Sequence, residues 1–375
     1  MPSETSRSLI DCFSDLKDPR IDRSKRHPLI AIIVISICAV ICGSEGWEDI
    51  AEFGEARLEW FERFLDLPNG IPSHDTIARV FARLDPREFE KRFRQWVESL
   101  REQLSEVVAV DGKISRGSHN RAAGKKAIGM VSAWAHDNGM VLGQLKVDDK
   151  SNEITAIPEL LQMLDLKGCI VTTDAMGCQK EIAAQIVSQQ ADYVLAVKGN
   201  QPALRSEMEQ YFDWALSDRF KQARYSYHET TDGEHGRIEI RRYYSSSDLS
   251  WFADKDKWAG LQSIAMVESE REVLGGEKTI ERRYYISSLE SDAFKIGRVI
   301  RQHWGIENSL HWVLDVTFRE DHSRIRKDNA PENMTILRRL ALTLLKQEKT
   351  CKRGIRAKRL KASWLDSYLI KVLTT

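Results

Sequence analysis

The chain has 375 residues, of which 42% are hydrophobic, and its 56 lysine and arginine residues are matched by 56 aspartate and glutamate residues. This length predicts two or three domains with packed cores, and the balanced net charge gives no overall indication of a nucleic-acid partner. Six cysteines without zinc-type pairing or any sign of disulfides favour a reducing, cytoplasmic location.

The first hundred residues show the periodicity of short helices. Leu29–Cys42 is strongly apolar but shorter than a membrane span, so we expect a buried helix and no membrane partner. Ser73 can cap a helix over His74–Leu84, and another follows at Arg87–Leu100. Such helices are compatible with DNA binding and equally typical of any small helical domain. We predict a helical, DNA-binding N-terminal domain over residues 1–102.

The periodicity changes from helical to strand-like near residue 105. Strand-like runs at Val107–Asp111, Ala127–Ala135 and Met140–Val147 predict a meander. The next predicted elements are the helix Ile154–Leu164, the strand Cys169–Asp174, the helix Lys180–Gln189 and the strand Tyr193–Val197. This βββαβαβ order predicts an α/β fold with a ribonuclease-H-like mixed sheet, in which the first and fourth strands lie side by side.

The alternation stops after a further helix that runs through Trp214. The following strand-like runs are Ser226–Tyr244, Leu261–Val273 and Thr279–Ile286. They predict a β-rich insertion over about residues 220–290. Helical patterns return at Ala293–Val316 and Pro331–Lys346. We therefore predict a catalytic domain over residues 103–345 and a basic C-terminal tail over residues 346–375.

Three acids are candidates for a metal site. Asp111 and Asp174 each end an apolar strand, and Glu307 lies in an aromatic-rich helical segment. Asp111 by itself is also compatible with a simple turn with Gly112. Two-metal phosphoryl transfer needs acidic ligands that hold two ions roughly 3.5–4 Å apart. We predict that Asp111 bridges two Mg²⁺ ions, replaceable by Mn²⁺, while Asp174 completes one site and Glu307 the other.

Other acids are rivals for these roles. They are Asp148, Asp149, Asp315, Glu320 and Asp321. The adjacent pair Asp148 and Asp149 is typical of a solvated loop. Asp315, two helical turns after Glu307, is in a position to support the site, but structural roles are favoured for all five.

Two histidines raise the alternative of a zinc site. His303 and His311 flank Glu307 at four-residue spacing, which places all three on one face of a helix. The zincin pattern has the glutamate directly after the first histidine, so the match to a zinc site is poor.

Six motifs, taken in order, resemble those of DDE-type bacterial insertion-sequence transposases, in particular the group that includes the H-repeat-associated proteins. The motifs are Ser73–Phe81, Ala109–Lys113, Thr172–Ala175, Asp192–Pro202, His235–Glu239 and His303–Val316. The resemblance implies Mg²⁺-dependent DNA cleavage and strand transfer by Asp111, Asp174 and Glu307. It also implies double-stranded DNA with terminal inverted repeats and a target DNA as partners, and a homodimer, because two ends must be joined.

The chain departs from related transposases around the glutamate. Ile300, His303 and Leu314 stand where those proteins carry a tyrosine, an arginine and a lysine, so contacts to the DNA end must differ. The residues that we predict to contact DNA are Lys198, Arg301, His303, His311, Lys352, Arg353 and Arg356. Lys198 is also compatible with an ordinary strand end, and the basic run with a solvated surface.

Two alternatives to an active transposase remain open at this stage. One is a DNA-binding remnant of a mobile element that no longer catalyses, against which the presence of all three acids counts. The other is a nuclease of the same fold that leaves no joined DNA.

Overall fold

A computed structural model describes residues 9–100, 107–119, 124, 126–147, 153–233, 237–273 and 276–374. The chain divides into two compact units. The first unit comprises Met1–Leu104, Gly112–Lys150 and Glu307–Thr375, and the second comprises Ser105–Asp111 and Ser151–Ile306. The predicted boundaries at residues 102 and 345 stay a prediction. Asp148 and Asp149, and His235 and Gly236 of the insertion motif, lie outside the described residues.

Most elements follow one another in the order that the sequence predicts, whereas the helices Leu9–Ser14, Ile355–Trp364 and Asp366–Leu373 were not predicted. The N-terminal helices are α1 (Leu9–Ser14), α2 (Leu29–Cys42), α3 (Trp47–Ala56), α4 (Leu58–Phe61), α5 (His74–Arg83) and α6 (Pro86–Ser99). The central elements are β1 (Val107–Ser115), β2 (Ile128–Ala135), β3 (Met140–Val147), α7 (Glu153–Gln162), β4 (Ile170–Thr173), α8 (Lys180–Ser188), β5 (Asp192–Val197) and α9 (Pro202–Ser217). The remaining elements are β6 (Tyr225–Asp232), β7 (Arg237–Ser246), β8 (Ser263–Val273), β9 (Lys278–Ser287), α10 (Ala293–Ile306), α11 (Trp312–Val316), α12 (Ala330–Gln347), α13 (Ile355–Trp364) and α14 (Asp366–Leu373). The mixed α/β fold class and the helical N-terminal region are confirmed.

Two buried helices form the centre of the first unit. Nearly every residue of α2 is buried, and α12 packs against α2, α5, α6 and β3. The Asn333 side chain of α12 donates to the carbonyls of Phe81 (2.8 Å) and Leu84 (3.0 Å), which fixes α12 against the end of α5. Among the described helices none is by itself long and apolar enough to cross a membrane, while α2 and α3, bent by 97°, pass that test only as a pair.

The first unit also buries charged side chains in pairs. Arg339 and Glu320 are 2.9 Å apart, and both side chains are almost completely buried. Arg339 also donates to the Ser132 hydroxyl on β2 (3.3 Å). Glu90 on α6 accepts from Arg94 (2.8 Å) and, with its other oxygen, from a backbone amide of β3 (3.2 Å). These pairs connect helices to the β2–β3 hairpin.

The second unit is built on a sheet whose strands are ordered β1-β4-β5-β9-β8-β7-β6. β1, β4 and β5 are parallel, and the other pairings are antiparallel. The β-rich insertion contains one strand more than predicted, because the run Ser226–Tyr244 is the two strands β6 and β7. The prediction of a single strand was wrong since Asp232-Gly233 is a turn dipeptide that interrupts the run.

Helix α10 covers one face of this sheet. Its apolar residues share a core with strand residues, and that core includes Val107, Ile170, Val194, Tyr243, Tyr285, Ile296 and Val299. Gly297 permits the close approach, because a Cβ there would lie 2.9 Å from the Tyr243 ring. This packing fixes the helix that ends just before Glu307 relative to the paired stretches of β1 and β4, which the two aspartates follow.

Half-buried ion pairs of the second unit connect the long antiparallel strands. Arg242 on β7 contacts Glu229 (3.2 Å), Glu268 (3.3 Å) and Glu270 (2.9 Å). Arg282 on β9 contacts Glu268 as well (2.8 Å). Cross-strand pairs of opposite charge support the register of a sheet whose backbone ladder is already complete.

Candidate functional site

Two aspartates directly follow the paired stretch of two neighbouring parallel strands of the second unit. β1 and β4 pair in parallel, with Val110 opposite Thr173. Asp111 and Asp174 directly follow this paired stretch, so the register brings them side by side where the pairing of β1 with β4 ends. β1 itself continues to Ser115, so the prediction that this strand ends at Asp111 was wrong. Both aspartates are half-buried. The predicted adjacency of the first and fourth strands is therefore confirmed.

A tight turn follows Asp174. One carboxylate oxygen of Asp174 accepts a hydrogen bond from the Met176 amide at 3.0 Å and so caps the 3₁₀ turn Ala175–Gly177. A Cβ at Gly177 would lie 2.6 Å from the side chain of Thr173. Glycine therefore lets the chain fold back directly behind the acid.

The motif Asp192–Pro202 contributes two side chains that hold this turn. Asn200 donates from its amide to the carbonyl of Ala175, and Gln201 donates to the carbonyl of Cys178 at 3.0 Å. Both residues follow β5, the strand next to β4. The motif thus supports Asp174 from the neighbouring strand end, a role that the sequence alone did not assign.

His303 on α10 contacts the strand that carries Asp174. Its Nδ1 lies 2.9 Å from the Thr172 hydroxyl. Burial lowers the pKa of His303 to about 4, which the Asp174 carboxylate opposes and the Lys198 ammonium reinforces. At pH 7 the imidazole is therefore neutral and acts through hydrogen bonds, and its predicted contact with DNA stays a prediction.

Glu153 is a further carboxylate near Asp174 that sequence reasoning missed. It is the first residue of α7 and is half-buried. Burial raises the pKa of Glu153, and the negative charge of Asp174 raises it further. Glutamate is common in the first turn of any helix, so no local signal distinguishes this one.

Glu307 belongs to the first unit and begins a π-helical stretch, Glu307–His311. Its side chain is 60% exposed, and one carboxylate oxygen lies 3.2 Å from Nδ1 of the buried His311. Single π turns inside helices often occur at functional sites, because the wider turn changes the direction of the side chains. Glu307 thus has an exposed carboxylate with a histidine behind it.

The rival acids have cationic partners. Lys113, of the Asp-Gly-Lys motif, lies 2.7 Å from Asp315 and 3.8 Å from Asp321, and its own side chain is nearly buried. Burial raises the pKa of Asp315, and the Lys113 ammonium opposes that shift. Together with the pairing of Glu320 and Arg339, these contacts agree with the structural roles favoured for the three acids.

The predicted cationic contacts are at the surface. Exposed side chains are found at Lys198, Arg301, Lys352, Arg353 and Arg356. Two other members of the basic run are buried instead. Lys358 donates to the carbonyl of Leu345 (2.8 Å), and Arg359 donates to the carbonyl of Val40 (3.0 Å). The run therefore consists of a surface part and a part that packs in the first unit.

Comparison with protein families gives two matches that together cover most of the chain. The family described as "Transposase DDE domain" matches residues 102–344, and the one described as "DDE_Tnp_1-associated" matches residues 10–97. Together they include Asp111, Asp174, Glu307 and nearly all of the N-terminal helices.

Relatives match over the same length. "Putative transposase YncI" of Escherichia coli O157:H7 is 43% identical over 98% of this chain and 95% of its own length. "H repeat-associated putative transposase YhhI" of Escherichia coli K12 is 41% identical over 98% of each chain. A solved structure titled "Cryo-EM structure of piggyBac transposase synaptic complex with hairpin DNA (SNHP)" reaches a TM-score of 0.39 at 11% identity, over 92% of this chain and 75% of that one, and a likeness at this level carries no argument.

Proposed function

Because the chain belongs to the family of DDE transposases, we propose that it cuts DNA at the ends of its own insertion sequence and joins those ends to a target DNA. The observation that carries the proposal is the parallel register of β1 and β4, which brings Asp111 and Asp174 side by side where the pairing of these strands ends. Two full-length relatives named as transposases support it.

Asp111, Asp174 and Glu307 are the proposed metal ligands, for Mg²⁺ or for Mn²⁺ in its place. The donor set fits these ions, because hard divalent cations take carboxylate oxygens and need few of them from the protein. Glu307 is largely exposed, and Asp174 lies at an open strand end. When bound, such ions would activate the attacking oxygen and stabilise the leaving oxygen of a phosphodiester.

The surrounding residues orient Asp174 and attract the substrate. Asn200 and Gln201 fix the turn behind Asp174, and His303 ties α10 to Thr172. Lys198 is exposed just beyond the neighbouring strand end, where an ammonium group would attract a DNA phosphate. The exposed Arg301 and the surface cations Lys352, Arg353 and Arg356 remain proposed contacts to the DNA backbone, with the buried His311 as a partner of Glu307.

The proposed partners follow from the reaction. Duplex DNA with terminal inverted repeats is the donor substrate, and a second duplex is the target. Both ends of an element must be held at once, so we propose a homodimer in the active complex. The predicted DNA-binding role of the N-terminal helices belongs to the same proposal.

The test uses the purified protein and DNA that carries the repeats flanking its gene. Cleavage at the repeat boundary in Mn²⁺, none in EDTA, and joined products with a target duplex are expected. Asp174→Asn should lower cleavage by at least about 100-fold, the loss typical of removing one preorganised catalytic group, while it spares DNA binding. Asp256→Asn, an exposed change of the same kind in the same unit, is the control.

Retained cleavage by Asp174→Asn would show that the acid site is wrong. Cut but unjoined DNA would indicate a nuclease instead of a transposase.

A remnant that binds DNA without catalysis is the second candidate function. One observation favours it: "Inactive transposase YbfQ" of Escherichia coli K12 is 54% identical over 74 residues, although these are 20% of this chain. A Mn²⁺ titration followed by calorimetry separates the two candidates. Binding that Asp174→Asn weakens supports the transposase, and absence of binding supports the remnant.

A further inference from the structure

A cleft in the first unit carries an excess of positive charge. It has a volume of about 510 Å³ and lies between the start of α3, the outer face of α5 and the segment that leads into α12. Its permanently cationic residues are Arg319, Arg324, Arg326, Lys327 and Arg338, which we call the basic cleft. Two acids, Glu45 and Glu48, also line it. The basic cleft thus has more positive than negative groups, although the net charge of the whole chain is zero.

Arg338 is the deepest of these cations. It is 3% exposed, and its Nη2 has no hydrogen-bond partner among the described residues. Burial lowers the pKa of Arg338, and Glu320 and Glu45 oppose that shift from a distance. A buried donor without an acceptor costs free energy, and more so when it is charged. An anionic oxygen that enters the basic cleft would supply both the acceptor and the opposite charge.

The adjacent arginine has a carboxylate partner, although its Nη2, like that of Arg338, has no hydrogen-bond partner among the described residues. Arg339 follows it on α12 and is equally buried, but its guanidinium lies 2.9 Å from the Glu320 carboxylate. Of the two neighbouring guanidinium groups, one has a carboxylate partner inside the protein and the other lines an open cleft. The second is therefore suited to an anion that comes from outside.

The other cations of the basic cleft suit a long anion better than a small one. Arg319, Arg324 and Lys327 are exposed along one stretch of chain, where each can meet a separate phosphate. Arg326 is half-buried and is fixed by a hydrogen bond from its Nε to the carbonyl of Gly117 (3.3 Å). Among the described residues, the ion pair that these cations form is the one between Arg319 and Glu45, at 3.7 Å. A single small anion would leave most of these charges unused.

We propose that the basic cleft binds the phosphate backbone of duplex DNA, with Arg338 as its deep contact. The proposal rests on the proposed function, in which duplex DNA is the substrate, and assigns a contact surface that is separate from the predicted cations. The walls are already fixed. Asn329 donates to the carbonyl of Leu84 (3.2 Å), and Trp47 stacks on Phe81 with 5.1 Å between the ring centroids. A preformed surface loses little free energy to ordering when DNA binds.

The test measures DNA affinity of the full chain by fluorescence anisotropy, in EDTA and over a series of salt concentrations. The probe is a short labelled duplex with the terminal repeat. Arg324→Gln with Lys327→Gln should weaken binding roughly fivefold per lost cation near 0.15 M salt and reduce the slope of log K against log salt by about 2. The control is Arg63→Gln with Lys91→Gln, exposed cations of the same unit outside the basic cleft.

Arg338→Lys tests the deep contact. It keeps the charge and loses the forked donor set, so affinity should fall about tenfold, the loss of one charge-assisted hydrogen bond, while the salt slope stays the same. If Arg338→Lys does not fold, the double variant Arg324→Gln with Lys327→Gln, which changes exposed residues, still tests the proposal.

Three results would overturn the proposal. The first is an unchanged affinity and salt slope in the exposed double variant. The second is thermal stabilisation by inorganic phosphate that Arg338→Lys abolishes while duplex binding is intact, which would indicate a small-anion site. The third is no duplex binding by the unaltered protein, which would overturn the proposed function too. Duplex binding that depends on the basic cleft, without metal-dependent cleavage, would contradict the proposed function alone.

Discussion

The two units differ in where they place their charged pairs. The first unit buries Glu320 with Arg339 and Glu90 with Arg94 between its helices and the β2–β3 hairpin. In the second unit the ion pairs of Arg242 are half-buried on one face of the sheet, with 24% of the arginine side chain exposed. This unit buries one arginine among the described residues, Arg241, which pairs with Glu239 at 2.6 Å. Its other buried polar side chains are mostly neutral hydroxyls, such as those of Ser263 and Ser287, which donate to backbone carbonyls.

The reason for this difference lies in the backbone. In the sheet, ladder hydrogen bonds and the alternation of side chains fix the register of each strand. Helices satisfy their hydrogen bonds internally, so apolar contacts alone leave neighbouring helices free to shift against one another. We interpret the buried pairs of the first unit as the contacts that select one arrangement, at a cost in desolvation.

The largest expected effect comes from breaking the buried pair. Arg339→Met should lower the free energy of unfolding of the first unit by about 3–5 kcal/mol, because the Glu320 charge is left buried without a partner. Urea unfolding followed by circular dichroism measures the loss. Glu320→Gln added to Arg339→Met should recover part of it. A loss below about 1 kcal/mol, as for a surface pair, would contradict the comparison.

Protonation is expected to act with opposite sign in the two units. In the second unit the pKa of His303 is lowered by burial from 6.5 to about 4, so stability falls as the pH drops through that interval. In the first unit burial raises the pKa of Glu90 from 4.5 to about 6, against the nearby Arg94, so stability falls as the pH rises through that interval. At about 1.4 kcal/mol per pKa unit, the shift of His303 corresponds to about 3 kcal/mol of stability and that of Glu90 to about 2 kcal/mol.

The measurement is the free energy of unfolding between pH 4.5 and pH 7.5 for the unaltered protein and for the variants His303→Gln and Glu90→Gln. Relative to the unaltered protein, His303→Gln should gain stability toward low pH and Glu90→Gln should gain it toward high pH. If the free energies of unfolding of the two variants changed with pH in the same way, the expected opposite effects of His303 and Glu90 would be contradicted.

The smallest effect is expected on the sheet surface. Arg242→Gln should cost about 1 kcal/mol, because the guanidinium is partly exposed and water can take its place beside the three glutamates. The cost should shrink further at high salt, as surface charges are screened. Equilibrium unfolding at low and high salt checks this, with Arg339→Met as the counterpart whose cost should not depend on salt. If the loss in free energy of unfolding caused by Arg242→Gln did not depend on salt, the ion pairs of the two units would not differ in the way we describe.

The parallel strands and the adjacency of their two aspartates were predictable from the sequence, although β1 continues past Asp111 to Ser115. The run Val107–Val110 is β-branched or small throughout, a pattern typical of a strand covered on both faces, and the run that ends at Thr173 resembles it. Neighbouring parallel strands run in the same direction, so the order of the elements predicted that Asp111 and Asp174 lie side by side. Ser73, which accepts from the Thr76 amide, likewise caps α5 as predicted.

Other features depend on partners far away in the chain. The helical pattern is continuous across Glu307, and nothing in its composition marks the π-helical stretch. A basic run is equally compatible with a solvated surface, yet Arg359 donates to the carbonyl of Val40, more than three hundred residues earlier. Arg338 and Arg339 look alike in sequence, and only the position of Glu320 separates the paired arginine from the one in the basic cleft.

The burial of α12 has a consequence for protein synthesis. A ribosome releases the chain from its amino end, so α2 emerges with its apolar surface uncovered long before the helix that packs on it exists. Most of the second unit is one uninterrupted stretch, Ser151–Ile306, and can finish folding while the first unit waits for its last segment. Chaperones are therefore expected to meet the nascent first unit. A frameshift late in the reading frame removes the centre of a folded unit, and the shortened product should be degraded rather than persist as a partly active protein.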